Sequence, residues 1–223
     1  GRRALAAMIL LLAGSGPGTA STEFDEASVR FEQNTTDGDF EFVFEITGGD
    51  EGLEVLNVLA PDGRTVVQFS APDRSTLGMR HFRFESPEPP NYALLTSAYP
   101  EGVYLFSGST VSGDVLHGEA ELSHELPPTV ADLHPADARG VPIDGLVISW
   151  SAVAGAAAYA IEVEQDDLGV AVEASLPGSA TSFAVPDGFL AAGTEYKLGV
   201  GTVSESGNIS VVETTFTTAS SSP

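Results

Sequence analysis

Residues 146–151 read L-V-I-S-W-S, residues 158–163 read A-Y-A-I-E-V, and residues 190–200 read L-A-A-G-T-E-Y-K-L-G-V. In the first, Leu146, Ile148 and Trp150 alternate with Val147 and Ser149. In the second, Tyr159, Ile161 and Val163 alternate with polar positions that include Glu162 and, one step on, Glu164. In the third, Tyr196, Leu198 and Val200 alternate with Lys197 and glycines. A period of two sends alternate side chains to opposite faces of an extended chain, so each segment predicts a strand with one apolar face. No 3.6-residue period lasts more than three turns after residue 20, and the fold class read from the pattern is all-β.

The same pattern extends toward the N-terminus. Phe40, Phe42, Phe44 and Ile46 share one face of a strand whose other face carries Glu41 and Glu45, and T-D-G-D at 36–39 predicts the turn before it. Residues 53–59 and 66–69 flank P-D-G-R at 61–64, a second hairpin signal. Phe82 and Phe84 alternate with His81 and Arg83. Residues 92–98 predict one short helix, and a last hairpin should turn Leu116, Ala120 and Leu122 inward. H-E-L-P-P at 124–128 removes ladder donors and marks a domain boundary. The expected layout is two tandem β-sandwich domains: residues 21–125, then an immunoglobulin-like domain at 126–218, with a disordered tail at 219–223.

The second domain resembles the fibronectin type III family, with Trp150 on an early strand, Tyr159 on the next and the Leu190–Tyr196 spacing that follows. The resemblance implies a tyrosine corner, in which the Tyr196 phenol bonds back to the backbone of the turn after Leu190. Ala192 stands where the family usually has Pro. The whole chain after residue 20 is also similar to a group of secreted bacterial proteins. These place a β domain, with N-x-T-D-G-D near its start and L-S-H-x-L-P at its end, before one such module. That resemblance implies fold and address only.

Residues 1–20 carry Arg2 and Arg3, an apolar run from Ala4 to Ala13 and small residues up to Ala20, the three-part pattern of a secretory signal peptide. Cleavage there would leave 7 basic against 32 acidic residues, a formal charge of −25 compared with −23 for the whole chain. A surface of that sign repels phosphate backbones and discourages self-association, so a monomer that does not bind nucleic acid is expected. With no cysteine there is no disulfide and no site for lipid attachment, and no later apolar run is long enough to anchor the chain. Localisation is read as secreted or periplasmic.

No catalytic pattern emerges. His124-Glu125 begins like a zinc-protease helix, but Pro128 stands where the second His is required; His81, His117 and His134 show no metal spacing and are expected, with His124, to be solvated. Among 32 carboxylates, close pairs arise by chance and signify catalysis only where a cleft raises one pKa. Most of these carboxylates alternate with core residues and are expected on solvated outer faces. Asn34, Asp37 and Asp39 surround Gly38 with hard oxygen ligands that suit Ca²⁺, in a spacing that is not an EF-hand and that equally predicts a hairpin turn. Asn34 and Asn208 match N-x-S/T acceptors, and Tyr92 and Tyr99 suggest either an aromatic sugar platform or a cap on the sandwich core. The function read from these features is a non-enzymatic binding or spacing protein whose partner is an extracellular protein or glycan. Its alternatives are a carbohydrate-binding accessory part of a secreted hydrolase and a Ca²⁺-dependent adhesion protein. No cofactor is expected apart from that Ca²⁺.

Overall fold

The structure is a computed structural model that describes residues 23–71, 77–88 and 91–220. The signal peptide expected at 1–20 lies outside the described residues, as do 221–223 of the expected tail. Ala219, at the start of that tail, donates its N–H to the Val141 carbonyl at 2.8 Å.

The first domain contains β1 (Glu26–Asn34), β2 (Asp39–Thr47), β3 (Leu53–Leu59), β4 (Thr65–Ser70), β5 (His81–Glu85), α1 (Tyr92–Ala98), β6 (Gly102–Thr110) and β7 (Val115–Leu122). The second contains β8 (Ala131–His134), β9 (Ala138–Val141), β10 (Val147–Ser151), β11 (Ala158–Gln165), β12 (Val170–Pro177), β13 (Ser182–Ala184), β14 (Glu195–Val203) and β15 (Ile209–Thr218). The protein is all-β with sandwich packing in both halves. In the second half a three-stranded sheet, β13-β10-β8, faces β12-β11-β14-β15, which gives this domain a fibronectin type III-like fold.

Turn chemistry sets the local register. Gly38 has φ +78° and Gly63 φ +83°, left-handed conformations in which glycine escapes the Cβ clash, and both sit in the turns read from T-D-G-D and P-D-G-R. The helix α1 opens with Asn91, whose side chain accepts the Leu94 N–H, and buries Leu95. Two cores follow from the two alternations. Phe31, Phe42, Phe44, Ile46, Leu53, Leu56, Tyr104 and Phe106 are at the centre of one; Ile148, Trp150, Tyr159, Val163, Tyr196, Leu198 and Phe216 are at the centre of the other.

The two sandwiches share a sheet. The order β12-β11-β14-β15-β1-β2-β5 is continuous, because β1 lies parallel to β15 through Glu32–Ile209, Gln33–Ser210 and Asn34–Val211. The same edge of β15 pairs with β9 further along, at Phe216 to Thr218. A small third core of Ala160, Val203, Ile209 and Val211 lies on the sheet beside this joint. Gly201 makes room for it: a Cβ there would meet Ile209 Cγ2 at 3.0 Å.

Candidate functional site

The second-domain residues singled out in the sequence come together in its core. The Tyr196 hydroxyl accepts the Ala191 N–H at 2.8 Å, directly after buried Leu190, and the Tyr196 ring stacks on Phe216. Tyr159 is fully buried, accepts the Val153 N–H at 2.7 Å and lies 5.3 Å from the Trp150 ring. These groups have structural roles.

The turn at 34–39 joins β1 to β2. Asn34 Oδ1 accepts the N–H of Thr36 at 3.0 Å and of Asp37 at 3.3 Å, which closes the turn. Among the described residues no group of three His, Cys, Asp or Glu side chains is arranged to hold a metal. Tyr99 tilts against Phe42 at 4.9 Å, and Tyr92 meets Phe40 edge-on at 5.3 Å, so both rings close the end of the first core. His124 differs from its solvated expectation. Its Nε2 lies 2.8 Å from the Tyr99 carbonyl, and its ring is 5.6 Å from Phe42, because the strand leaving β7 runs over that aromatic end.

The joint between the domains is the most highly constructed polar site. Asn208 ends the turn between β14 and β15 and is 1% exposed. Its Oδ1 accepts the Phe31 N–H at 2.8 Å, and its Nδ2 donates to the carbonyls of Ser123 at 2.8 Å and Glu125 at 2.9 Å. Phe31 precedes the first β1–β15 rung, and the Asn208 side chain supplies the acceptor that a longer ladder would have provided. One amide thus ties together a first-domain strand, the linker and a second-domain turn, and its burial leaves no space for a glycan. Around it Gln33 Nε2 donates to Ser210 Oγ at 2.6 Å, Thr35 N–H to Val211 O at 2.9 Å, and Glu213 N–H to Thr36 Oγ1 at 2.7 Å.

The outer face of the shared sheet also overturns an expectation. Glu32, Glu41, Glu45, Glu162 and Glu164 are all buried, although alternation places them opposite the core. In a sheet this wide, side chains on neighbouring strands cover one another. Arg30, itself buried, donates Nε to Glu32 at 2.6 Å and Nη1 to Glu45, and Arg83 reaches Glu85 and Glu45. Glu41 has no such partner among the described residues, and burial together with Glu32, Glu85 and Glu88, opposed only in part by the more distant charge of Arg83, pushes its carboxyl up to about 8. Burial, with Glu164, Glu173 and Glu213 adding to it, likewise pushes Glu162 up to about 7. A raised carboxyl beside a second carboxylate is the acid half of a glycosidase pair only in a cleft. Glu41 lines neither the depression of about 330 Å³ between Phe44, Val67, Phe84 and Tyr99 nor the one of about 270 Å³ beside Glu164 and Lys197.

No protein-family model and no curated protein matches the chain. Among solved structures it is similar to the FN1–FN3 domains of chicken CNTN1, with 9% identity and a TM-score of 0.36 over 88% of this chain and 66% of that one. A segment of two fibronectin type III domains from chicken tenascin gives 10% identity and a TM-score of 0.34, over 88% and 97%. The BSP domain of a biofilm-associated protein gives 16% and 0.29, over 90% and 30%. The chain therefore spans 66% of the CNTN1 structure and less than a third of the BSP one. At such scores the functional reading rests on the chain's own geometry.

Proposed function

We propose that this chain is a non-enzymatic secreted or periplasmic module that holds two β-sandwiches at a fixed mutual orientation and binds a partner through its surface. The observation that carries this reading is the joint. Tandem domains linked only by an extended segment reorient freely, whereas here a shared ladder and a buried amide constrain them. Spacing follows from that constraint, and binding from the loops and sheet faces it orients. Export is supported by the leader-like pattern at 1–20; among the described residues no helix is long and apolar enough to cross a membrane. Residual dipolar couplings of the full chain test the reading. We expect a single alignment tensor to fit amides of both cores, and two independent tensors would refute a fixed spacer.

A further inference from the structure

The shared sheet stops at β5. No described strand pairs with the far side of β5, and none pairs with the far side of β4 in the facing sheet, so the first sandwich has an open side between these two edges. Ser86 donates its N–H to the Phe42 carbonyl and Gly48 to the Arg80 carbonyl, each at 2.9 Å. Backbone groups alternate along an antiparallel ladder, so those of Phe82 and Phe84 also face β2, whereas the N–H and C=O groups of His81, Arg83 and Glu85 point away from it. A row of this kind is a template for one more strand. Directly beside it lies the depression of about 330 Å³, walled by Phe44 from β2, Val67 from β4, Phe84 from β5 and Tyr99 from the end of α1, with Gln68 and Glu85 as polar lining. It has room for one large side chain.

We propose that the free edge of β5 receives an extended segment of a partner protein as an added strand, with one large apolar side chain of that segment seated in the depression, an inference that rests on the binding part of the function proposed above. The two features specify the occupant jointly. A row of backbone donors and acceptors is satisfied by another extended backbone, and the hollow beside the row takes an inward side chain of that backbone. Main-chain bonds then supply affinity and the pocket selects the sequence. Charge narrows the choice further. Glu32 and Glu45 share Arg30, Glu45 and Glu85 share Arg83, and Glu88 adds to the negative charge around Glu41. This outer face therefore favours Lys or Arg at the outward positions of the segment. A second copy of this chain would instead bring 32 acidic against 9 basic residues to the same edge.

The test is a titration of the ¹⁵N-labelled full chain with acetyl-Lys-Leu-Lys-Phe-Thr-Leu-Lys-amide, whose alternation matches the site. Amide shifts should centre on residues 66–68, 81–86 and 99, and hydrogen exchange of the Arg83 and Glu85 amides should slow more than that of Phe82 and Phe84, which already bond to β2. Only one of the two alternating sets of peptide residues turns its N–H toward β5. N-methylation of that set should therefore cost at least about tenfold in affinity, and N-methylation of the other less than about threefold. Glu85→Pro deletes a donor from the free edge, where proline is tolerated, and should weaken binding by at least about tenfold; Glu85→Gln removes the same charge, keeps the N–H and should weaken it by less than about threefold. No binding at about 2 mM peptide, or equal losses for the two methylated peptides, would overturn the added strand. Protection of Arg83 and Glu85 that rises with protein concentration alone would overturn it in favour of a second copy, and shifts at Phe84 and Tyr99 caused by cellohexaose in place of the peptide would overturn it in favour of a glycan. Dipolar couplings from the same sample report the joint independently, so a failed edge and a failed spacer are distinguishable.

Discussion

The Tyr196 hydroxyl is placed to satisfy a single backbone donor, and its removal isolates that role. Tyr196→Phe keeps the ring against Phe216 but strips the Ala191 N–H of its acceptor. The expected cost is about 1–2 kcal/mol, read as a lower urea midpoint of the Trp150 emission, since the single tryptophan reports on the second core. An unchanged midpoint would remove the corner from the account of stability. Asn34 poses the converse question, because its side-chain oxygen already serves two backbone donors. The melting temperature should therefore respond to millimolar Ca²⁺ identically in the natural chain and in Asp37→Asn with Asp39→Asn. A rise confined to the natural chain would favour the Ca²⁺-dependent adhesion reading.

Pairing of β1 with β2 sets Glu32 directly opposite Glu41, and like charges in that position are unfavourable. Glu41 titrates at about 8 in the folded protein, against about 4.3 in an unfolded chain. Between those values the folded state holds a proton that the unfolded state has lost, so this group's contribution to stability declines as pH rises through the window and is flat above it. Glu41→Gln removes the decline. Relative to the natural chain, the variant should gain stability between pH 5 and pH 9, and parallel pH profiles in urea melts would contradict the assignment.

Alternation in the sequence was enough to place Phe42, Phe44, Trp150 and Tyr196 inside and to find the turns at Gly38 and Gly63, because each depends on neighbours within a few residues. It failed for Glu32, Glu41 and Glu162. A period of two says which side of a strand a residue occupies, but not how many strands flank it. The β1–β15 ladder joins residues 177 positions apart and leaves no local signal. Asn208 was visible only as an N-x-S match, and its partners become apparent when the linker and β1 are brought beside it. The depression beside Phe84 draws on four segments and was equally hidden.

At the scale of the whole molecule, the joint determines whether the chain unfolds as one body or two. Each sandwich has its own core, and either core alone has the composition of an independent domain. They melt together only if the free energy holding them at the joint exceeds the difference between their separate stabilities. The β1–β15 pairing contributes three rungs, and Asn208 adds three hydrogen bonds in a site closed to water. Asn208→Ala leaves the Phe31 N–H and the Ser123 and Glu125 carbonyls without that partner, at a cost on the order of 1–3 kcal/mol. Because Asn208 packs in neither of the two large cores, most of the loss should fall on the coupling rather than on either sandwich. Calorimetry of the natural chain should show one transition, and Asn208→Ala should separate it into two, with the Trp150 signal following only one of them. A variant that still melts in one step, merely at a lower temperature, would mean that Asn208 supports a single domain and that the shared sheet alone couples the two.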